Sequence, residues 1–210
     1  MIKNLNRGKR VSSVVYDTIC IHYGEIGLKG KNQPDFRNQL KENIGRRLRA
    51  LDLNWKVREA HSYYYVEIPE DVTDPQRESA LEALRTTPGI AWYAPAISLE
   101  RDLVFAKNSL HSELIEAPLA NLANVQYSED ARFAVRVNRA DKRLPGKSIE
   151  YERQYGAVVI DKSPWENVDL ETPDVTFHID MYSEAIFIYA NKLPGAGGLP
   201  VGITGHVLTL

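Results

Sequence analysis

The stretch Phe133–Ile160, FAVRVNRADKRLPGKSIEYERQYGAVVI, decides how the second half of the chain folds. It opens with strict alternation, Phe133, Val135 and Val137 on one face and Ala134, Arg136 and Asn138 on the other, the pattern of a half-buried strand. A basic loop follows, Arg139-Ala-Asp-Lys142-Arg143-Leu-Pro-Gly-Lys147. Ser148 stands where a helix N-cap is expected, ahead of a helix over 149–160. Between Arg132 and Arg153 there are seven Lys/Arg against three Asp/Glu, a local net charge of +4. Strand, loop and helix N-terminus make a candidate phosphate-binding surface, because free helix N–H groups and cations both favour anions. A loop that merely keeps the protein solvated has the same composition, so charge alone leaves both readings open.

Downstream, Val175, Phe177, Ile179 and Met181 alternate with Thr176, His178 and Asp180 and predict a half-buried strand. A turn at Ser183-Glu184 leads to another strand, Ala185 to Lys192. His178 falls on the polar side and reads as an ordinary hydrogen-bonding residue. Residues 161–184 carry seven acidic and one basic residue, net −6, without a spacing that demands a metal or catalysis, and read as a solvated acidic surface. Upstream, Leu103, Leu110 and Leu114 mark a helix to about Glu116, ended by Pro118.

The first half repeats a different order. Thr18–Tyr23 reads as a buried strand. A glycine-rich turn follows with Gly24, Gly27 and Gly30, a spacing that fits neither the P-loop nor the dinucleotide fingerprint. Its Lys29 and Lys31 precede a helix that Pro34 starts well. Phe36, Leu40, Ile44 and Leu48 form the apolar stripe of that helix, while Arg37, Lys41, Arg46, Arg47 and Arg49 lie largely off it. Lys29 to Arg49 holds seven basic and two acidic residues, net +5, which is either a ligand surface or a solvated helix face. Strands near Trp55–Arg58 and Tyr63–Ile68, a helix from Asp74-Pro75 to Pro88-Gly89, and an extended run Trp92–Leu99 complete β-α-β-β-α-β. That order is ferredoxin-like.

The whole chain, 210 residues with 43% hydrophobic and 26% charged residues and a net charge of −2, has the composition of a globular protein with two electrostatic sides. Its single cysteine, Cys20, sits in an apolar run and reads as a buried structural thiol suited to a reducing compartment. There is no apolar run long enough to span a membrane, and the basic N-terminal arm lacks the apolar core of a signal peptide, so the expected location is cytoplasmic. Walker A, Ser-Gly-Gly-x-Asp-Ser, Cys-x-x-Cys and His-Glu-x-x-His motifs are not found. The segment Leu193–Gly202 reads as an interdomain connector. His206–Leu210 reads as the start of a strand belonging to a further domain.

Three of these stretches match a known pattern. Tyr23-Gly-Glu-Ile-Gly-Leu-Lys-Gly-Lys-Asn32, Val135-Arg-Val-Asn-Arg-Ala-Asp-Lys142 with Ser148 and Gly156 after it, and Gly195-Ala-Gly-Gly-Leu-Pro-Val-Gly202 resemble the N-terminal half of the tRNA 4-thiouridine synthetases. These enzymes are also called the tRNA sulfurtransferase or thiamine biosynthesis family. Ala196 stands where a proline is common, and Leu144 where an aromatic residue is common. The resemblance implies an α+β (α/β) protein: a basic arm (1–17), an N-terminal ferredoxin-like domain (18–99), a THUMP domain (100–194), then a linker (195–210) to a catalytic pyrophosphate-loop domain absent from this chain. It implies a tRNA-binding module that grips the acceptor stem and CCA end. There it positions a uridine for thiolation with ATP, magnesium and a persulfide sulfur donor, none of which this chain itself would hold.

By that resemblance Arg136, Arg139, Lys142, Arg143 and Lys147, supported by Arg153, would meet the CCA end. Lys29, Lys31, Lys41, Arg46 and Arg47 would meet backbone phosphates. Expected partners are tRNA, the chain's own catalytic domain, a cysteine desulfurase and a second copy in a homodimer. Two other readings stand beside this one: a stand-alone THUMP RNA-binding protein without catalysis, and a small-ligand regulatory domain.

Overall fold

The computed structural model describes residues 16–24, 33–60, 63–105 and 111–202. The N-terminal arm, the turn bearing Lys29 and Lys31, and the strand expected at 206–210 lie outside the described residues. The first half contains β1 (Thr18–Tyr23), α1 (Gln33–Arg49), β2 (Lys56–Ala60), β3 (Tyr63–Glu67), α2 (Asp74–Arg85) and β4 (Ile90–Glu100). The second half contains α3 (Arg101–Val104), α4 (Glu113–Gln126), β5 (Phe133–Arg139), α5 (Ser148–Lys162), β6 (Val175–Met181), β7 (Ala185–Ala190) and the short β8 (Leu193–Pro194).

Among the described residues, all eight strands join one sheet, in the order β2-β3-β1-β4-β7-β6-β5, with β8 also on β4. The first half has the antiparallel ferredoxin-like order, and the second adds a parallel β5-α5-β6 crossover and the β6–β7 hairpin. β4 belongs to both halves. Its residues 90–96 pair with β1 on one edge, and its residues 97–100 pair with β7 on the other. Past the end of β1, Asp17 takes over: its carboxylate accepts the Ser98 N–H at 2.9 Å.

Pro95 lies in the middle of this strand, where a missing N–H normally breaks a ladder. Because Ser98 points its N–H to the β1 side, Pro95 presents its nitrogen to the opposite edge. That edge is unpaired there, since β8 ends its pairing at Tyr93 and β7 begins at Ile97. The proline therefore costs no ladder bond.

Strand parity sorts the core. Ile19, Ile21, Tyr64, Val66 and Tyr93 face α1 and α2; Ile97, Leu99, Phe133, Val135, Val137, Phe177, Ile179, Ile186 and Ile188 face α4 and α5. Both helical layers thus cover the same face of the sheet. Trp165 anchors the second layer, edge-on to Phe133 and Phe177, with its indole N–H donating to the Ala123 carbonyl at 2.8 Å. On the other face, Cys20, Ala94 and Ala96 of the two central strands are small. Rings from outer strands close over them: Tyr63 stacks on Tyr182 with centroids 4.0 Å apart, and Phe187 meets Tyr63 edge-on at 5.5 Å. The sheet is curled, and this face is concave.

Two local expectations are corrected. The helix predicted to stop at Pro118 is two helices, and α4 runs through Pro118 to Gln126. The bond Pro118 cannot donate would go to the carbonyl of Leu114, an exposed residue whose carbonyl water can serve, while Leu119, Leu122 and Ala123 bury the next turns. Ser148 is the first helical residue of α5; the cap is Lys147, in extended geometry. The connector is a fixed strap. Gly195 and Gly197 donate to the Ala91 and Ile90 carbonyls, Gly89 donates to Gly197, and Asn43 donates to the Val201 carbonyl at 3.0 Å.

Ala94→Leu should lower stability by about 1–3 kcal/mol in chemical denaturation, because the added atoms have no space beneath the rings. Gly195→Ala should lower it by about 1–3 kcal/mol and speed proteolysis within 195–202, because a Cβ there runs into the Ile90 carbonyl.

Candidate nucleic-acid interface

The basic loop is held in shape at both ends. Ala140 and Asp141 donate their N–H groups to the Met181 carbonyl, so the loop leaves β5 bonded to the end of β6. Leu144 is buried, the Arg139 guanidinium donates to its carbonyl, and the Tyr151 hydroxyl donates to the Pro145 carbonyl at 2.7 Å. Gly146 adopts φ 73°, a turn that only glycine takes without strain. The Glu150 carboxylate accepts the Lys147 N–H at 2.9 Å, so an anion of the protein's own already occupies part of the α5 N-terminus.

Asp141 ties the loop together. Its carboxylate accepts from the Arg143 backbone N–H and, at 2.9 Å through each oxygen, from the Arg143 guanidinium; Arg101 of α3 lies 3.6 Å away. These donations, from Arg143 first, hold its pKa down at about 2. Arg143 is therefore both a structural partner and an exposed cation, with its side chain 75% exposed. Lys142 and Lys147 are exposed beside it, and Arg153 is exposed on α5. Arg139 is partly covered, and among the described residues its Nε has no partner.

The structure distributes the other expected cations differently. Arg136, on β5 and outside the loop, donates to the Leu170 carbonyl. Lys41 faces Glu59 of β2 at 4.0 Å, Arg46 pairs with Glu42 at 2.9 Å on the exposed side, and Arg47 donates to Thr86 at 2.6 Å beyond α2. These three side chains of α1 diverge, and Arg47 serves mainly to fasten α1 to α2. The free edge of β5 is covered: Glu152 accepts the Val137 N–H, and Phe133 exchanges bonds with Asn167 and Asp169.

The acidic segment is not uniformly a solvated surface. Asp169 and Asp174 bind Arg132, and Asp180 is buried on the concave face. Asp180 accepts from the Tyr189 hydroxyl at 3.0 Å and from Tyr182, and burial pushes its carboxyl up. His178 stacks on Tyr189 at 4.9 Å, and His22 stacks on Trp92 at 4.0 Å. Burial, then the positive charge of Lys192, lowers the His22 pKa to about 4; burial, then Lys192 and Arg136, lowers that of His178 to about 3. This cluster was visible in the sequence only as the polar faces of β5 and β6. Its other members come from β1 and β4, and no spacing announces that they meet.

A ferredoxin-like sheet continued through one strand into a parallel β-α-β crossover unit and a hairpin defines the class: a two-domain α+β module. Residues 18–94 match the ThiI ferredoxin-like domain and residues 113–191 the THUMP domain. The chain thus consists of a ThiI-type ferredoxin-like domain followed by a THUMP domain. It is 32% identical over 196 residues to a Moorella thermoacetica protein named "Probable tRNA sulfurtransferase", covering 93% of this chain and 46% of that one. The Brevibacillus brevis relative of the same name is 32% identical over 195 residues, with 93% and 45% covered. The chain thus spans a little under half the length of these curated relatives.

Among solved structures, a 4-thiouridine synthetase in complex with RNA and ATP superposes with a TM-score of 0.68 at 24% identity, covering 90% of this chain and 44% of that one. The protein PH1313 from Pyrococcus horikoshii superposes with a TM-score of 0.72 at 26% identity, covering 89% and 57%. Among the described residues no helix is long and apolar enough to cross a membrane.

The two depressed histidines have a pH signature. As pH falls below about 6.5, the unfolded chain protonates its histidines before the folded one does. Their contribution to stability is complete above that pH and is lost on the way down to about 4 and about 3. The raised carboxyls of Asp17 and Asp180 work in the opposite sense, weakening the fold as pH rises. A His22→Asn/His178→Asn variant isolates the histidine part: the wild type's lead in melting temperature should shrink from about pH 7 to about pH 5.

Proposed function

We propose that this chain is the tRNA-holding part of a tRNA 4-thiouridine synthetase. In this reading the loop Arg139–Lys147 receives the single-stranded CCA end, with Arg153 in support. The cations of α1 and of the Lys29–Lys31 turn meet phosphates of the acceptor stem. RNA is recognised through phosphates, helix shape and splayed single-stranded bases, and a module that grips the end of an acceptor stem sets a fixed distance to a base further along it. The enzyme's ATP, magnesium and persulfide chemistry then acts on that base elsewhere in the full-length protein, in the cytoplasm, with a cysteine desulfurase as sulfur source and a second copy of the enzyme as a further partner. The residues described above bind and orient; none is assigned a chemical step.

The observation that carries this reading is the preorganised loop. Its backbone is anchored to β6, to Tyr151 and by Asp141, so Lys142, Arg143 and Lys147 project from a rigid base rather than a mobile tether. A strap fixed to β4 supports the same view, because it gives whatever follows residue 202 a defined starting point relative to the bound RNA.

The test is binding of one tRNA, with and without its CCA end, across a salt series. Lys142→Ala/Lys147→Ala should weaken binding, and each lost phosphate contact should flatten the slope of log K against log salt by roughly 0.7–0.9. Intact tRNA should bind more tightly than the CCA-less form, and that advantage should vanish in the double variant. Equal binding of both RNAs by the wild type would reduce the loop to a general polyanion surface.

A further inference from the structure

The concave face holds a cleft of about 510 Å3 that the loop reading does not use. It lies where the two halves meet, bordered by His22 and Trp92 from β1 and β4 and by Arg136, Asn138, His178 and Asp180 from β5 and β6. Its size falls within the roughly 300–1,000 Å3 usual for small-molecule sites. Unlike the basic loop, it combines flat rings, cations and a polar edge in one place.

The rings are fixed before anything binds. Trp92 stacks on His22 with centroids 4.0 Å apart, and the Lys192 ammonium lies over the Trp92 ring, 4.5 Å from its centroid. His178 rests on Tyr189, which supports one face of the imidazole while the histidine itself borders the cleft. Burial and the neighbouring cations keep both imidazoles uncharged at neutral pH, so they present flat neutral rings rather than further positive charge. Lys192 and Arg136 supply the cations. The Asn138 amide, hydrogen-bonded to Asp180, supplies donors and an acceptor on the same wall.

A metal ion is a poor fit for this wall: among the described residues no three His, Cys, Asp or Glu side chains are grouped to hold one, although Asp180 and Glu152 border the cleft. A wholly apolar ligand would take water from the amide and from both cations without replacing its hydrogen bonds. A planar heterocycle carrying a phosphate satisfies all three features, since stacking is tolerant of base identity and cations take the phosphate. We propose that the cleft binds a single nucleotide, its base stacked on His178 with its edge toward Asn138 and its phosphate between Arg136 and Lys192. The nucleotide is either free or an unstacked residue of an RNA strand. This site does not depend on the loop Arg139–Lys147 holding a CCA end.

The experiment titrates the chain with AMP, GMP, CMP and UMP, with a four-nucleotide single-stranded RNA, and with inorganic phosphate, following the histidine ring signals by NMR. The expected result is saturable shifts of the His22 and His178 signals with nucleotide. Lys192→Ala and His178→Ala should each weaken binding by about tenfold, as expected for one lost cation or one lost stacking surface. His178→Phe should retain binding, because it keeps the ring, and this separates stacking from a general disturbance of the fold. Lys142→Ala/Lys147→Ala should leave these shifts unchanged, so failure of the loop reading and failure of this one are distinguishable. Shifts from mononucleotides identify a free nucleotide as sufficient, and shifts from the tetranucleotide alone identify a residue of an RNA strand; both support the site. No shift with any nucleotide, or equal shifts with inorganic phosphate, would overturn it.

Discussion

β4 is the constraint on which the rest of the molecule depends. Eleven residues long, it pairs with β1 through six of its first seven residues and with β7 through its last four, so neither half has an independent sheet edge where they meet. A backbone ladder is less forgiving than a side-chain interface, because every unpaired buried N–H or C=O carries a cost. The devices along β4 follow from this. Asp17 completes the ladder at Ser98, Pro95 sits at the gap between β8 and β7, and the connector returns to bond with Ile90 and Ala91. The two family domains are thereby held in one orientation.

The curl of that sheet places the two candidate ligand surfaces. With α1, α2, α4 and α5 all on one face, the other face is closed, among the described residues, by the sheet's own side chains. It is closed because Cys20, Ala94 and Ala96 are small enough for tyrosine and phenylalanine rings to meet above them. At the first-half end this produces a packed aromatic cluster. Toward β5 and β6 the residues turn polar, and the closure stays open as the cleft around His178. The basic loop projects from the end of β5 that adjoins this cleft, so the two surfaces are neighbours built from one strand: Arg136 and Asn138 serve the cleft, and Arg139 begins the loop.

Much of this was legible from periodicity. β1, β5 and β6 appear where strict alternation or a short apolar run sets them, and α1 and α2 where apolar stripes follow good helix starts. The misreadings share a cause. Pro118 predicts a stop because its local effect is to break helices, yet burial of Leu119, Leu122 and Ala123 outweighs one missing bond near an exposed turn. The basic residues of α1 share a face in the sequence pattern because they avoid the apolar stripe, yet Lys41 turns to Glu59 of β2 and Arg47 to Thr86 beyond α2. Asp180 looked like one more acid in an acidic stretch, and only the fold brings Tyr182 and Tyr189 to it.

The amino-acid sequence by itself determined the main elements, the ferredoxin-like order, the basic loop and the two domain types, because these rest on residue spacing and on motifs contiguous in the chain. Tertiary structure alone decided that the halves share a strand, that the connector is a strap, that Asp141 locks the loop, and that His22 and His178 line one cleft. The physical reason is separation along the chain. His22 and Tyr182, whose ring nitrogen and hydroxyl come within 3.2 Å, are 160 residues apart, and only the curl of a completed sheet brings them together.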